Sequence, residues 1–199
     1  MDPSLQRLGA FAALALVGCD PAPRVASVTP AAVTTGASRD TSSNAPERAQ
    51  GDEVPAALRG IVEAHNRHRA EHCAPPLAWS SELAAMAQRH AERLRSGGCN
   101  LVHSQGPYGE NLFGASPAGQ ATPDVVVDDW YNEVTAYDMR HPGFGMRTGH
   151  FTQVVWKDTT RVGCAVARCQ DSDVWVCNYD PPGNIADQFA RNVSPTGCR

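Results

Sequence analysis

The chain has 199 residues and a formal charge of -4, with its basic residues scattered along the sequence instead of clustered. That length supports a single domain with one core, and the charge pattern leaves no electrostatic footprint for a nucleic-acid partner. None of the 7 cysteines forms a CxxC pair of the kind that holds zinc or carries out thiol exchange.

The first nineteen residues read as a processing signal. Leu8 to Val17 is an apolar, alanine-rich run with the length of a signal-peptide core, too short to cross a bilayer as a mature helix. Leu16-Val17-Gly18-Cys19 resembles a bacterial lipobox, in which Cys19 is lipidated and becomes the mature N-terminus. The other reading is an ordinary secretory signal with an incidental cysteine. Lipidation would make the membrane a partner and place the protein in the bacterial cell envelope. It would also leave six cysteines, Cys73, Cys99, Cys164, Cys169, Cys177 and Cys198, enough for three bridges in an oxidising compartment. Residues 20–54 are rich in Pro, Ala, Ser and Thr and lack aromatics, so they cannot bury enough apolar surface to order themselves. They read as a tether to a folded domain over 55–199.

Within that domain a first helix is expected from Pro55 to His72, with Leu58, Ile61, Val62, His65 and Arg69 on one stripe. His65 then lies on or beside the buried face, where a histidine is more often a hydrogen-bonded structural residue than a ligand. Cys73-Ala74-Pro75-Pro76 stops this helix. Ser80 caps a second, with Glu82 in its first turn, Leu83, Met86, Ala87, His90 and Leu94 along its stripe, and Gly97-Gly98 at its end. Trp79 and Met86 are assigned to the core, and His90 to a partly exposed position. Residues 100–112 show no regular pattern, and residues 114–121 read as a flexible loop. Thr122-Pro123-Asp124 starts a third helix carrying Val126, Val127, Trp130 and Val134 inward, with Glu133 one turn after Trp130 on nearly the same face. A carboxylate beside an apolar stripe needs a partner or a function.

The C-terminal third carries an antiparallel hairpin, with strands over 161–169 and 174–179 and a polar turn over 170–173. Asp180-Pro181-Pro182-Gly183-Asn184 ends the second strand, because proline cannot donate to a ladder. In this hairpin Cys164 lies nearly opposite Cys177, which predicts a cross-strand Cys164–Cys177 bridge.

Gly149-His150-Phe151-Thr152-Gln153-Val154-Val155-Trp156 and Val176-Cys177-Asn178-Tyr179-Asp180-Pro181-Pro182-Gly183-Asn184 resemble the two signature motifs of the CAP superfamily, the cysteine-rich secretory, antigen-five and pathogenesis-related group-one proteins. His65-Asn66-Arg67-His68-Arg69, Pro76-Leu77-Ala78-Trp79, His103-Ser104 and Tyr108-Gly109-Glu110-Asn111-Leu112 follow the family's order. The resemblance implies an α+β fold, a three-layer α-β-α sandwich with a small, mainly antiparallel sheet. It also implies Cys99–Cys169, leaving Cys73–Cys198 by elimination. Thr148 stands where many plant members carry a cysteine, so one family bridge is lost.

The same resemblance implies a cleft lined by His65, Glu110, Glu133 and His150. Two imidazoles and two carboxylates from separate segments suit a divalent cation, zinc above all, with His65 and His150 as the ligands. These residues also support a structural network across the fold, or a metal-assisted hydrolase. The reading that follows is an exported, monomeric, lipid-anchored protein acting by binding, with a sterol, a fatty acid or a cell-envelope component as further ligand, more a binder than an enzyme; the alternatives are a metal-assisted hydrolase and a structural envelope protein.

Overall fold

In the computed structural model, residues 53–198 are described; the expected signal, the expected lipidation site Cys19 and nearly all of the expected tether fall outside them. The expected first helix is divided. A 3-10 turn at Ala56–Leu58 is followed by Gly60 with φ of 94°, and helix α1 begins only at Ile61–Glu71. Glycine tolerates that left-handed turn, and the break lets both Leu58 and Ile61 reach the core. Strand β1 (Ala78–Trp79) leads into helix α2 (Ser81–Ser96), whose cap forms as the sequence indicates, with the Ser80 hydroxyl accepting from the Leu83 amide.

A strand stands where the sequence shows no regular pattern. β2 (Gly109–Ala115) pairs antiparallel with the last strand, so two glycines, a glutamate and an asparagine of low strand propensity are held by the neighbouring ladder. Helix α3 (Pro123–Asn132) has its Thr122 cap and its proline in the first turn. It ends one residue before Glu133, which opens a 3-10 turn at Glu133–Ala136, and Val134 is only half-buried there. Helix α4 (Gly149–Val154) precedes β3 (Arg161–Cys169) and β4 (Ser172–Asp180), and α5 (Phe189–Asn192) is the last helix.

The sheet has the order β1-β3-β4-β2, with β1 parallel to β3 and the other pairs antiparallel. The hairpin turn is tighter than expected. Cys169 pairs with Ser172, leaving two residues in the loop, and Cys164 stands directly opposite Cys177. The bridges are Cys164–Cys177, Cys99–Cys169 and Cys73–Cys198.

Period two along the hairpin separates two cores instead of core and water. Val162, Cys164, Trp175, Cys177 and Tyr179 pack with Ile61, Trp130 and Phe151 from α1, α3 and α4. Ala165, Ala167, Val174 and Val176 pack with Ala87, Ala91 and Leu94 of α2. Helices on both faces make the α-β-α sandwich. Gly163 marks the closest approach: a Cβ there would strike the backbone of Ser80 and Ala84, so only glycine lets α2 seat on β3. Met86 is half-buried instead of core, while His90 is 6% exposed, contrary to its expected exposure, because the 100–108 segment crosses over it and Val102 accepts a bond from its ring.

Candidate functional site

Of the four residues expected to line the cleft, Glu110 and His150 do so, Glu133 stands behind His150 without lining it, and His65 does not reach it. Its side chain is fully buried in α1, packed against Trp130 and Tyr179. Nδ1 lies 2.7 Å from the Ile61 carbonyl, so it carries the proton, and Nε2 accepts from the Tyr179 hydroxyl at 2.8 Å. Both nitrogens are taken, and burial lowers its pKa to about 4. This is a neutral structural histidine with no lone pair left for a metal.

His103 stands in its place. A cavity of about 180 Å³ is lined by His103, Glu110, Asn111, Phe144, Met146, Gly149, His150 and Asn184. His103 Nδ1 is 2.9 Å from Glu110 Oε1, which also accepts from the Ser104 amide at 2.8 Å. Burial pushes the Glu110 carboxyl up, but the bonds from His103 and Ser104 together with the nearby His90 outweigh it and hold it below the ordinary range. The reciprocal bond raises His103. Glu110 Oε2 is enclosed without a hydrogen-bond partner, 3.9 Å from His90 Nε2.

The second half of the site has the same construction. His150 Nδ1 lies 2.8 Å from Glu133 Oε1, while Glu133 Oε2 accepts from the amides of His150 and Phe151 at 2.9 and 3.1 Å. Glu133 therefore caps the start of α4 and orients the histidine it carries. Burial pushes its carboxyl up, but the His150 and Phe151 bonds bring it below the ordinary range. The ring of Trp130 stacks on His150 at 6.2 Å between centroids.

Each histidine thus gives its Nδ1 proton to a carboxylate, which leaves Nε2 as the nitrogen with a free lone pair. Both are accessible, His103 at 53% and His150 at 34% of the side chain. This donor chemistry fits a divalent cation held by two imidazole nitrogens with the carboxylates behind them. Among the described residues no three His, Cys, Asp or Glu side chains form an enclosing metal cage. Any cation held here would therefore complete its coordination with water.

A polar chain joins the cleft to the core. The Asn111 amide donates to the His150 carbonyl at 3.2 Å and to the Tyr179 hydroxyl at 3.3 Å, and Tyr179 in turn donates to His65. His65 belongs to this support of the α4 backbone. The signal for His103 was its position seven residues before Glu110, within one segment that closes on itself; its irregular sequence gave no periodicity to place it.

The family profile of the cysteine-rich secretory protein family matches residues 62–179. Protein PRY2 of Saccharomyces cerevisiae is 47% identical over 139 residues, covering 68% of this chain and 40% of the yeast protein's length. Pathogenesis-related protein 1 of Arabidopsis thaliana is 44% identical over 128 residues, covering 64% of this chain and 78% of the plant protein. Among solved structures, BmVAL-1 superposes with a TM-score of 0.60 at 20% identity, covering 76% of this chain and 89% of that one. NaASP2 with Zn2+ superposes with a TM-score of 0.56 at 24% identity, covering 75% and 90% respectively. At those identities the structural likeness speaks to the fold alone. The sequence match over most of the folded domain, the sandwich and the paired disulfides establish that this chain belongs to the cysteine-rich secretory protein family.

Proposed function

We propose that this protein acts by binding, and that His103 and His150 hold a divalent cation, zinc above all, in the cleft. The supporting observation is the repeated arrangement of a histidine whose Nδ1 bonds a carboxylate, Glu110 for His103 and Glu133 for His150. Such pairs fix the tautomer and raise the basicity of the coordinating nitrogen. Two protein ligands leave open positions, so affinity is modest, and chelators strip the cation without unfolding a domain closed by three bridges. Affinity falls with acid, because the imidazoles must be neutral to coordinate and the bond to Glu110 raises the pKa of His103.

Calorimetric zinc titration of the full chain tests this. His103→Ala and His150→Ala are expected to abolish the heat of binding, and Glu133→Gln to weaken binding roughly ten- to a hundredfold. If wild type and His150→Ala bind alike, the four residues are a structural network. If zinc-loaded wild type hydrolyses peptides or esters and Glu110→Gln does not, the site is that of a metal-assisted hydrolase.

Phe144 and Met146, 60% and 88% exposed at the rim, are the apolar surface that a sterol, fatty acid or cell-envelope component would use. Three disulfides fit an extracellular protein. Anchoring through Cys19 completes the proposal, although the relatives named above are from a yeast and a plant and lend the bacterial lipoprotein reading no support. Palmitate labelling lost in Cys19→Ser is the expected result, and an unlabelled wild type would remove the anchor.

A further inference from the structure

A second polar cavity, of about 160 Å³, lies between α2 and the 103–108 segment and shares no lining residue with the cleft. Its floor is Asn178, only 4% exposed, whose side-chain oxygen is enclosed without a partner. The Asn178 side-chain nitrogen likewise has no protein partner among the described residues. At the rim stand Arg89 and Arg93, one helical turn apart on the same face of α2, with Tyr108 opposite. Neither arginine forms an ion pair among the described residues. The nearby Glu92 is engaged by Arg95 and Gln88. Two like charges at this spacing repel along a helix. Arg93 gives one bond, at 3.2 Å, to His90 Nδ1, and keeps its remaining donors. Among the described residues no carboxylate lines the cavity, and Glu110 lies behind His90 at 3.9 Å.

We infer that this cavity binds a small tetrahedral oxyanion, the phosphate group of a monoester, between the Arg89 and Arg93 guanidinium groups with the Asn178 amide at its base. Planar guanidinium groups match the oxygens of phosphate, and an anion between them relieves their repulsion. The amide nitrogen of Asn178 and the Tyr108 hydroxyl supply neutral donors from the other sides. The volume admits one phosphate group with its ester oxygen and little more, which limits the ligand to a small monoester or to a headgroup inserted end on.

The test is an NMR titration of the 15N-labelled full chain with inorganic phosphate and then with glycerol 3-phosphate, at constant ionic strength. The expected result is a saturable shift of the Asn178 side-chain amide and the Tyr108 backbone amide. Affinity should fall about tenfold or more in the exposed double variant Arg89→Gln/Arg93→Gln. Arg59→Gln, an exposed arginine outside the cavity, should leave it within about twofold, which separates local binding from overall charge. Sedimentation with phosphatidic acid vesicles distinguishes sources. Capture that the double variant loses assigns a lipid headgroup, and binding of the soluble monoester alone assigns a free phosphate ester. The inference is overturned if no saturable shift occurs, or if the double variant keeps it. It is also overturned if the Asn178 amide ignores phosphate and follows the titration of Glu110, its cross-strand neighbour.

Discussion

Replacing Arg69 by methionine is expected to destabilise the domain by about 4 kcal/mol or more, enough to lower the melting temperature by roughly 10 °C or to prevent folding. Arg69 is fully buried, with no carboxylate partner among the described residues. Its guanidinium donates instead to four backbone carbonyls: Nε to Pro75 at 2.8 Å, Nη1 to Val154 and Trp156 at 2.9 and 2.8 Å, and Nη2 to Thr159 at 2.9 Å. These bonds tie the end of α1 to the turn leading into β1 and to the connection between α4 and β3. Burial lowers its pKa only to about 10, so the group remains charged at neutral pH. Methionine would fill much of the space but leave the Pro75, Val154 and Thr159 carbonyls without this donor, while Trp156 keeps its bond from the Thr159 amide, and each buried acceptor so stranded costs about 1 to 3 kcal/mol. Arg67 is the control. It bridges Asp124 and Asp128 at 3.0 Å with all three side chains about half exposed, so Arg67→Met should cost less than about 1 kcal/mol. Equal melting shifts in the two variants would contradict the account.

The second large effect concerns acid. His65 is neutral in the folded protein, with its pKa lowered to about 4 by burial against an ordinary 6.5. A histidine depressed in this way contributes stability above its unfolded pKa, and that contribution is lost as pH falls from 6.5 toward 4, where the unfolded chain binds the proton and the folded one resists it. At about 1.36 kcal/mol per unit the full loss is about 3.4 kcal/mol, of which roughly 2 to 3 kcal/mol falls between pH 7 and pH 4.5. Urea unfolding of wild type and His65→Gln at both pH values measures it. The variant should start less stable at pH 7, having lost ring packing against Trp130 and Tyr179, yet lose less on acidification. A parallel decline would show that His65 is not the acid-sensitive group. Zinc binding by whatever folded variant remains should be close to wild type, since His65 supplies no ligand.

The contrast between His65 and His103 shows what the sequence reveals and what it hides. His65 lies on a clean helical stripe, and that stripe placed it correctly in the buried face; burial is the reason it cannot be a ligand. The family resemblance drew it into the cleft on residue type and order. His103 sits where no period exists, in a segment whose position is set by a carboxylate seven residues on and by the β2 ladder. Its geometry appears only once the chain has closed. β2 was hidden for the same reason, since its glycines, glutamate and asparagine take strand conformation from β4 and not from their own preference.

Elements with local causes were legible. The caps of α2 and α3 lie within a few residues of what they cap, and the hairpin's alternation fixed Cys164 against Cys177 even though the loop proved two residues long. Alternation did not reveal that both faces of the hairpin would be covered, because a short side chain such as Ala165 or Ala167 fits beneath a helix as readily as at a solvent face. Glu133 lies between these cases. Its spacing from Trp130 was visible in the sequence, but the end of α3 and the 3-10 turn that aims its carboxylate at the first amides of α4 were not.

Anomalous scattering at the zinc edge from crystals of the full chain grown with zinc tests the central claim most directly. The account predicts a peak in the cleft at about 2.0 to 2.1 Å from the Nε2 atoms of His103 and His150, with water in the remaining positions and nothing at His65. A cleft without a peak, in crystals whose zinc lies on other side chains, would contradict it.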